Sequence, residues 1–172
     1  MKTYHWKDIA ELVGIAAIVV SLIFVGTQIR QDQDIAVAQI FADYDDTQIE
    51  WARLVGENKD VWVRGLKDEE LSDADGASFN VIAAAFFDKE STRVRRSILI
   101  TGVPSSGIVK KNADIIYSYP GLMAAWKDWA TFHRAHHHSE WFYEYLDGVD
   151  ASIEEIRSGI RDHTEPPAFG PA

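Results

Sequence analysis

Residues 12–26 read LVGIAAIVVSLIFVG, a run of apolar residues that is interrupted only by Ser21. With the isoleucines that extend it on both sides, the apolar segment covers residues 9–29. As a helix this segment spans about 30 Å at 1.5 Å per residue, which is the thickness of the hydrocarbon core of a bilayer. The pattern predicts an N-terminal membrane anchor within residues 1–30, with the lipid bilayer as its partner.

Two other interpretations of the apolar segment are open. A cleavable signal peptide needs a small-x-small site after the run, but the residues that follow read TQIRQDQD and contain none. A buried helix of a soluble core is the second alternative, because the uninterrupted run is shorter than a typical membrane span. Tyr4 and Trp6 lie just before the run, where aromatic residues are typical of a membrane interface, and we therefore favour the single anchor.

One face of the predicted anchor consists of small side chains at spacings of four, three and four residues, namely Ala10, Gly14, Ala17 and Ser21. This spacing places them on one stripe of a helix, where a second helix can approach closely. Such packing replaces the hydrophobic attraction that helices lack in lipid. We expect the small-residue stripe to contact a membrane-protein complex or a second copy of the chain. The alternative is that these residues are simply common in membrane helices.

The charges that flank the apolar segment predict its orientation. Lys2 and Lys7 precede it, whereas only Arg30 follows it before Arg53. By the positive-inside rule, this small excess favours a cytoplasmic N-terminus and a body on the exported side.

The composition excludes several classes of protein. The 172 residues include 17 Lys and Arg against 27 Asp and Glu, a net charge of −10, whereas nucleic-acid binding needs clustered basic side chains. We therefore expect no nucleic-acid partner. The chain has no cysteine, which excludes disulfides and thiolate metal sites. Its hydrophobic content of 47% is too high for a disordered chain.

The rest of the chain shows helical periodicity, without an alternating strand pattern or an internal repeat. Residues 27–55 contain neither Gly nor Pro, so we expect the anchor to continue into a long stalk that ends near Gly56. The predicted fold is all-α, with one N-terminal transmembrane helix that runs into this stalk and then a compact bundle of short helices. The helical body covers residues 31–163, and residues 164–172 form a Pro-rich tail.

Capping residues predict where the short helices begin and end. The expected helices cover residues 59–66, residues 72–100, a segment around residues 108–116 and a segment that begins at Pro120. Ser139 is expected to cap a further short helix that Gly148 closes. Ser152 is expected to open the last helix, whose apolar stripe includes Ile160.

Four segments of the chain read VSLIFVGTQIRQ, FFDKE, YPGLMAAW and SEWFYEYL. Together they resemble an uncharacterised bacterial family of small single-pass membrane proteins with a helical body, and the resemblance covers nearly the whole chain. It implies a location in the bacterial inner membrane and brings no activity with it. Relatives usually have several basic residues after QIRQ, whereas Asp32 and Asp34 follow it here.

The candidate metal ligands are the histidines of the sequence HRAHHH, namely His133, His136, His137 and His138. Imidazoles together with a carboxylate suit zinc, and residues three or four apart share a face of a helix. The run lies between two predicted helices, however, and it lacks the H-E-x-x-H pattern. We therefore expect a solvated loop without a metal ion, and no other cofactor.

Glu90 lies on the apolar stripe of its predicted helix, in register with Phe86 and Val94. A carboxylate at such a position has to pair with a cation or shift its pKa. The arginines that follow it are the available partners, namely Arg93, Arg95 and Arg96. We expect a structural ion pair, and a buried acid at a functional site is the alternative.

A set of aromatic residues in the C-terminal half of the chain has helical spacing, which assigns it to the core. The set comprises Trp126, Trp129, Phe132, Trp141, Phe142 and Tyr145. The alternative is that part of the set faces a partner, since aromatic side chains dominate interface hot spots.

The sequence contains no calcium-loop, nucleotide-binding or nucleophile-elbow pattern. We therefore expect a non-enzymatic, membrane-anchored accessory or scaffold subunit that packs onto other membrane proteins or onto itself. The alternative is a membrane-tethered metal-dependent enzyme that uses the four histidines.

Overall fold

The computed structural model describes residues 6–137 and 139–164, without the side chains of Lys7 and Asp8. Several features of the sequence prediction therefore lie outside the described residues, namely Lys2, Tyr4, the side chain of Lys7, His138 and the tail beyond residue 164.

Six helices and no strand make up the described residues, and the predicted all-α class is confirmed. In chain order they are α1 (Trp6–Glu57), α2 (Lys59–Leu66), α3 (Asp73–Thr101), α4 (Ser106–Ser118), α5 (Pro120–His136) and α6 (Glu140–Arg157). The chain divides into two units, Met1–Ala42 and Asp43–Ala172, and the boundary between them lies within α1. The limits that the sequence suggests for anchor, body and tail stay predictions.

Local chemistry explains several of the helix ends. The hydroxyl oxygen of Ser72 accepts a hydrogen bond from the backbone N–H of Asp75 at 3.2 Å, which caps the start of α3. Gly102 ends α3 with a φ of 77°, a conformation in which a residue without a Cβ is unstrained. Pro120 is the first residue of α5, where its missing N–H costs no hydrogen bond. These three ends agree with the sequence prediction.

The core of the second unit lies among α2 to α6. Its largest fully buried side chains are Trp62, Trp126, Tyr145, Phe86, Phe87, Ile82, Ile116, Leu122 and Leu146. The last turns of α1 join this core through Trp51, whose ring centroid lies 6.0 Å from that of Trp62 and 5.7 Å from that of Phe86. Aromatic pairs at such distances add to the stability that area burial provides.

Two buried glycines allow α2 to pack closely against α5 and α3. A Cβ atom at Gly121 would lie 1.8 Å from the backbone oxygen of Gly65, and a Cβ at Gly65 would lie 2.1 Å from the ring of Phe79. Neither position has room for a side chain. The close approach of the α2 and α5 backbones therefore depends on Gly121, whereas Gly65 leaves room for the ring of Phe79 in α3.

α6 is one continuous helix where the sequence predicts two, and this prediction is wrong. Gly148 does not close a helix, and Ser152 does not open one, because both lie within α6 and Ser152 is buried there. A Cβ at Gly148 would lie 3.2 Å from Cγ1 of Val109, so this glycine allows α4 to pack closely against α6. Ile160 lies beyond the end of α6 and is 79% exposed, so it does not extend the apolar stripe.

Candidate functional site

The first unit exposes apolar side chains on every side of α1. The exposed set comprises Ile9, Leu12, Val13, Ile15, Ile18, Val19, Val20, Leu22, Ile23, Phe24, Val25 and Ile29. A window of 18 residues within α1 has a mean hydropathy of 2.5, and none of it is buried by the described chain. By its length and composition, the helix is therefore suited to cross a membrane.

Two hydroxyl groups within or next to this apolar surface bond to the backbone of their own helix. The hydroxyl of Ser21 donates to the carbonyl oxygen of Ala17 at 2.9 Å, and that of Thr27 donates to the carbonyl oxygen of Phe24 at 2.7 Å. A hydrocarbon environment offers no partner to a polar group, so internal hydrogen bonds are what such a surface requires.

The small-residue stripe lies on this exposed surface. Its members Ala10, Gly14, Ala17 and Ser21 are all exposed. A Cβ at Gly14 would meet nothing within 4 Å. The described chain therefore leaves the stripe accessible to a second helix, and its contact with a partner stays a prediction.

The histidine cluster lies at the end of α5. His133 and His136 belong to the helix, and His137 is its C-terminal cap. The prediction of a solvated loop is therefore wrong for the first two. α5 extends this far because its end is held from α6. The hydroxyl of Tyr143 lies within hydrogen-bond distance of the carbonyl oxygen of Arg134, at 3.2 Å, and of that of His137, and it donates its single proton to one or the other.

The histidine rings pack on aromatic side chains. The ring of His137 stacks on Phe142 with centroids 4.1 Å apart, and that of His136 stacks on Phe132 with centroids 4.4 Å apart. The Nδ1 atom of His136 also bonds to the carbonyl oxygen of Phe132 at 2.7 Å. The backbone N–H of Ser139 donates to Nδ1 of His137 at 3.3 Å. One nitrogen of each ring thus has a protein partner.

His133, the remaining described histidine of the cluster, is half-buried. The ring centroid of His133 is 4.3 Å from that of Trp129, and partial burial lowers the pKa of His133, which the nearby carboxylate of Asp88 partly opposes. Partial burial has the opposite effect on the carboxyl group of Asp88: it raises the pKa of Asp88, and the nearby His133 opposes that shift. Among the described residues, no three His, Asp or Glu side chains converge to hold a metal ion.

Glu90 is buried, and its carboxylate lies between two cations. One oxygen is 3.0 Å from Nζ of Lys89, and the other is 3.5 Å from a guanidinium nitrogen of Arg93. Lys89 is buried as well, and its ammonium lies 4.1 Å from the centroid of the Trp51 ring. Sequence reasoning missed Lys89, because adjacent residues of a helix do not normally face each other. No local pattern in the sequence indicates this pairing, since the position of the Lys89 side chain depends on Trp51 of α1.

The aromatic set lies mainly in the core, as expected. Trp126, Trp129, Phe142 and Tyr145 are buried, and Trp141 is half-buried. Phe132 is 58% exposed, so its assignment to the core is wrong. Its ring borders a shallow cavity of about 260 Å³ between α3 and α5, which Asn80 and Asp128 also line.

Comparison of the chain with known protein families, with curated proteins and with solved structures gives no match. The function is therefore inferred from the surfaces and clusters described above. The largest of these features is the exposed apolar surface of the first unit.

Proposed function

We propose that the protein is a non-enzymatic, single-pass membrane subunit that packs through its anchor onto a membrane-protein complex or onto a second copy of itself. The observation that supports this proposal is the apolar surface that surrounds residues 9–29 on all sides. Burying one Val, Leu, Ile or Phe side chain contributes about 1.5–3 kcal/mol. Summed over this segment, that exceeds the stability of a typical domain, about 5–15 kcal/mol, so a surface of this kind needs an apolar environment.

The proposed location is the bacterial inner membrane, with the body on the exported side. The location is supported by the family resemblance, and the orientation by Lys2 and Lys7 before the apolar segment against Arg30 after it. The accessory role is supported by the small-residue stripe, which leaves one face of the anchor accessible to close helix packing.

The anchor is tested by fractionating cells that express the full-length chain. We expect the protein to sediment with membranes and to resist extraction by alkaline carbonate, because the apolar segment is long enough to span a bilayer. Recovery of the full-length chain in the soluble fraction without detergent would contradict the proposal.

The orientation is tested by chemical labelling, for which a chain without cysteine is well suited. A cysteine introduced in place of the exposed Ser158 should react with a membrane-impermeant maleimide in intact cells if the body is exported. Reaction only after the membrane is permeabilised would mean that the body is cytoplasmic. That outcome would contradict the proposed orientation but not the membrane anchor.

The packing role is tested by the double variant Gly14→Leu with Ala17→Leu. Bulky side chains on the small-residue stripe should separate packed helices, while the anchor stays apolar. We expect the assembly to become smaller in mild detergent, with membrane insertion unchanged. The matched control, Val19→Leu with Ile23→Leu, adds leucines on the opposite face and should keep the wild-type size. Unchanged assembly of the stripe variant would mean that the stripe faces lipid.

The alternative function, a membrane-tethered metal-dependent enzyme, is tested on the same preparation. Metal analysis of the tag-free protein is compared with that of the double variant His133→Ala with His137→Ala. Stoichiometric zinc that is lost in the variant would support the enzyme and contradict the non-enzymatic proposal. Sub-stoichiometric metal in both proteins is the outcome that we expect.

A further inference from the structure

The turn between α3 and α4 differs in charge from the rest of the chain. Residues 91–113 read STRVRRSILITGVPSSGIVKKNA and include five basic residues and no acidic one. This segment stands in a chain whose net charge is −10. We call residues 91–113 the α3–α4 corner; it contains the last turns of α3, the loop at Gly102 and the first turns of α4.

Exposed apolar side chains lie at the tip of the α3–α4 corner. Leu99, Ile100 and Val103 are 55%, 50% and 60% exposed. The basic residues on both sides of the tip are exposed too, namely Arg95, Lys110 and Lys111. The corner therefore combines a small apolar tip with flanking cations, which is the pattern of a segment that lies in a membrane interface.

Two contacts of α3 indicate at which end of the second unit this tip lies. The guanidinium of Arg96 lies 4.7 Å from the centroid of the Tyr44 ring, and the ammonium of Lys89 lies 4.1 Å from that of the Trp51 ring. Residues 43–57 and α3 therefore run in opposite directions. The last turns of α3 lie at the same end of the unit as its first residue, Asp43.

The chain that precedes Asp43 connects this end of the unit to the apolar segment. Residues 30–42 are helical and measure about 20 Å at 1.5 Å per residue. A connection of this length confines the second unit near any bilayer that holds the apolar segment. Confinement raises the effective concentration of the bilayer, so even a weak contact becomes populated.

We propose that the α3–α4 corner is a second membrane contact, which inserts Leu99, Ile100 and Val103 into the interface of a bilayer that contains anionic lipids. Arg95, Lys110 and Lys111 attract the anionic headgroups, and the apolar tip enters the boundary between headgroups and acyl chains. The inference rests on the proposed function, because the anchor is what brings the corner to the bilayer.

A lipid surface fits the corner better than a protein partner does. A stable protein interface buries about 800 Å² on each side and is usually centred on aromatic anchors. Three aliphatic side chains at a loop offer less area, and residues 91–113 contain no aromatic residue. A small apolar tip with flexible cations around it instead suits an anionic lipid surface, because the cations attract the headgroups while the tip enters the interface.

The test uses the full-length chain with a single cysteine that bears an environment-sensitive nitrobenzoxadiazole fluorophore. Three labelled variants are compared: Val103→Cys at the tip, Ala74→Cys at the opposite end of α3 and Leu22→Cys in the apolar segment. Each is reconstituted into vesicles of phosphatidylcholine alone or with added phosphatidylglycerol, and quenching by iodide is measured. Melting curves verify that each labelled variant keeps its fold.

We expect the label at residue 103 to shift to shorter wavelength and to escape iodide quenching in the vesicles that contain phosphatidylglycerol. High salt, or the triple variant Arg95→Glu, Lys110→Glu and Lys111→Glu, should restore quenching. The label at residue 74 should stay quenched in both kinds of vesicle, because it lies at the other end of the helix.

Two outcomes would overturn the inference while leaving the anchor intact. Quenching of the label at residue 103 in both kinds of vesicle, equal to that at residue 74, would mean that the corner faces water. Protection that is equal in both kinds of vesicle and unchanged by high salt would mean that anionic headgroups are not what the corner contacts. Iodide quenching of the label at residue 22 would instead contradict the proposed function itself, because the apolar segment would not lie in the bilayer.

Discussion

Ile18 in the first unit and Ile82 in the second are the same residue in the same kind of helix, yet their exposures are 62% and 1%. In the second unit the apolar side of each helix meets a neighbouring helix, so Ile82 is removed from water by the chain itself. In the first unit the described chain covers no side of the apolar segment. The second unit thus buries much of its own apolar surface, whereas the apolar surface of the first unit is left exposed by the described residues.

The largest expected effect comes from placing charge in the first unit. The variant Ile18→Lys with Val19→Lys should abolish membrane retention, since a lysine near the centre of a membrane helix costs about 2.5–3.5 kcal/mol. Carbonate extraction of the full-length chain measures the loss. The control Gln31→Lys with Gln33→Lys adds the same two charges beyond the apolar segment and should stay in the membrane fraction. Recovery of Ile18→Lys with Val19→Lys in the membrane fraction would mean that the apolar segment is not what holds the chain in the membrane.

A buried charge in the second unit should have the next largest effect. Glu90→Gln leaves the buried ammonium of Lys89 without its carboxylate, and breaking a buried ion pair in this way costs about 3–5 kcal/mol. Denaturant unfolding in detergent measures the loss. The exposed pair of Glu154 and Arg157 is the control, and Glu154→Gln should cost less than about 1 kcal/mol.

The same unfolding measurement separates the contribution of the two charges to stability from that of the packing of the two side chains. The double variant Lys89→Met with Glu90→Leu replaces the pair by apolar side chains of similar size, which is often close to neutral. We expect it to recover most of the stability that Glu90→Gln loses. A double variant as unstable as the single one would mean that apolar side chains do not replace the contacts of the pair, such as that of Lys89 with the ring of Trp51.

Glycine-to-alanine substitutions extend the comparison between the two units, because the same added Cβ meets different surroundings at each position. Gly121→Ala forces a Cβ onto the backbone oxygen of Gly65 and should cost about 3 kcal/mol, the upper end of the usual range for overpacking. Gly76→Ala, in α3, meets nothing within 4 Å and should stabilise by up to about 1 kcal/mol through helix propensity. Gly14→Ala in the first unit is equally free of clashes and should not change the melting temperature of the second unit. Equal stability of the Gly121 and Gly76 variants would contradict the close approach of α2 and α5.

The smallest expected effect is a pH dependence that is confined to the second unit. Partial burial lowers the pKa of His133 below its ordinary value of 6.5, so the unfolded chain binds a proton before the folded chain does. Stability should therefore fall as the pH decreases through about 6.5, and His133→Gln should weaken this fall. Melting temperatures at about pH 7.5 and about pH 5.5 measure it.

Asp88 provides the internal control for this pH dependence. Partial burial raises its pKa, so in the folded chain it takes up a proton before the unfolded chain does, which opposes the effect of His133. Asp88→Asn should therefore steepen the loss of stability on acidification. A shallower loss in this variant would mean that the pKa of Asp88 is not raised in the folded chain.

Part of the fold follows from signals that are local in the chain. The capping hydroxyl of Ser72, the positive φ of Gly102 and the missing N–H of Pro120 each act within a few residues, so the ends of α3 and the start of α5 are predictable. α2 was predicted with the bounds Lys59–Leu66 that the structure shows. Turn and cap chemistry needs no information from distant residues.

The candidate sites were predictable to a smaller extent. The position of Glu90 on an apolar stripe indicates that it needs a cation, but the identity of Lys89 as its nearest partner depends on the ring of Trp51 in another helix. The spacing of His133 and His136 suggests a shared helical face, but the extension of α5 through them depends on Tyr143 of α6. Partners of this kind lie on separate helices and leave no periodic signal in the sequence.

The all-α class and the apolar character of residues 9–29 follow from the sequence alone, because periodicity and hydropathy are properties of consecutive residues. The packing of the helices is what places Gly148 and Ser152 inside one continuous helix and leaves Phe132 exposed. A glycine or a serine can either end a helix or fit within one. The choice depends on whether another helix packs against it, as Val109 of α4 packs against Gly148.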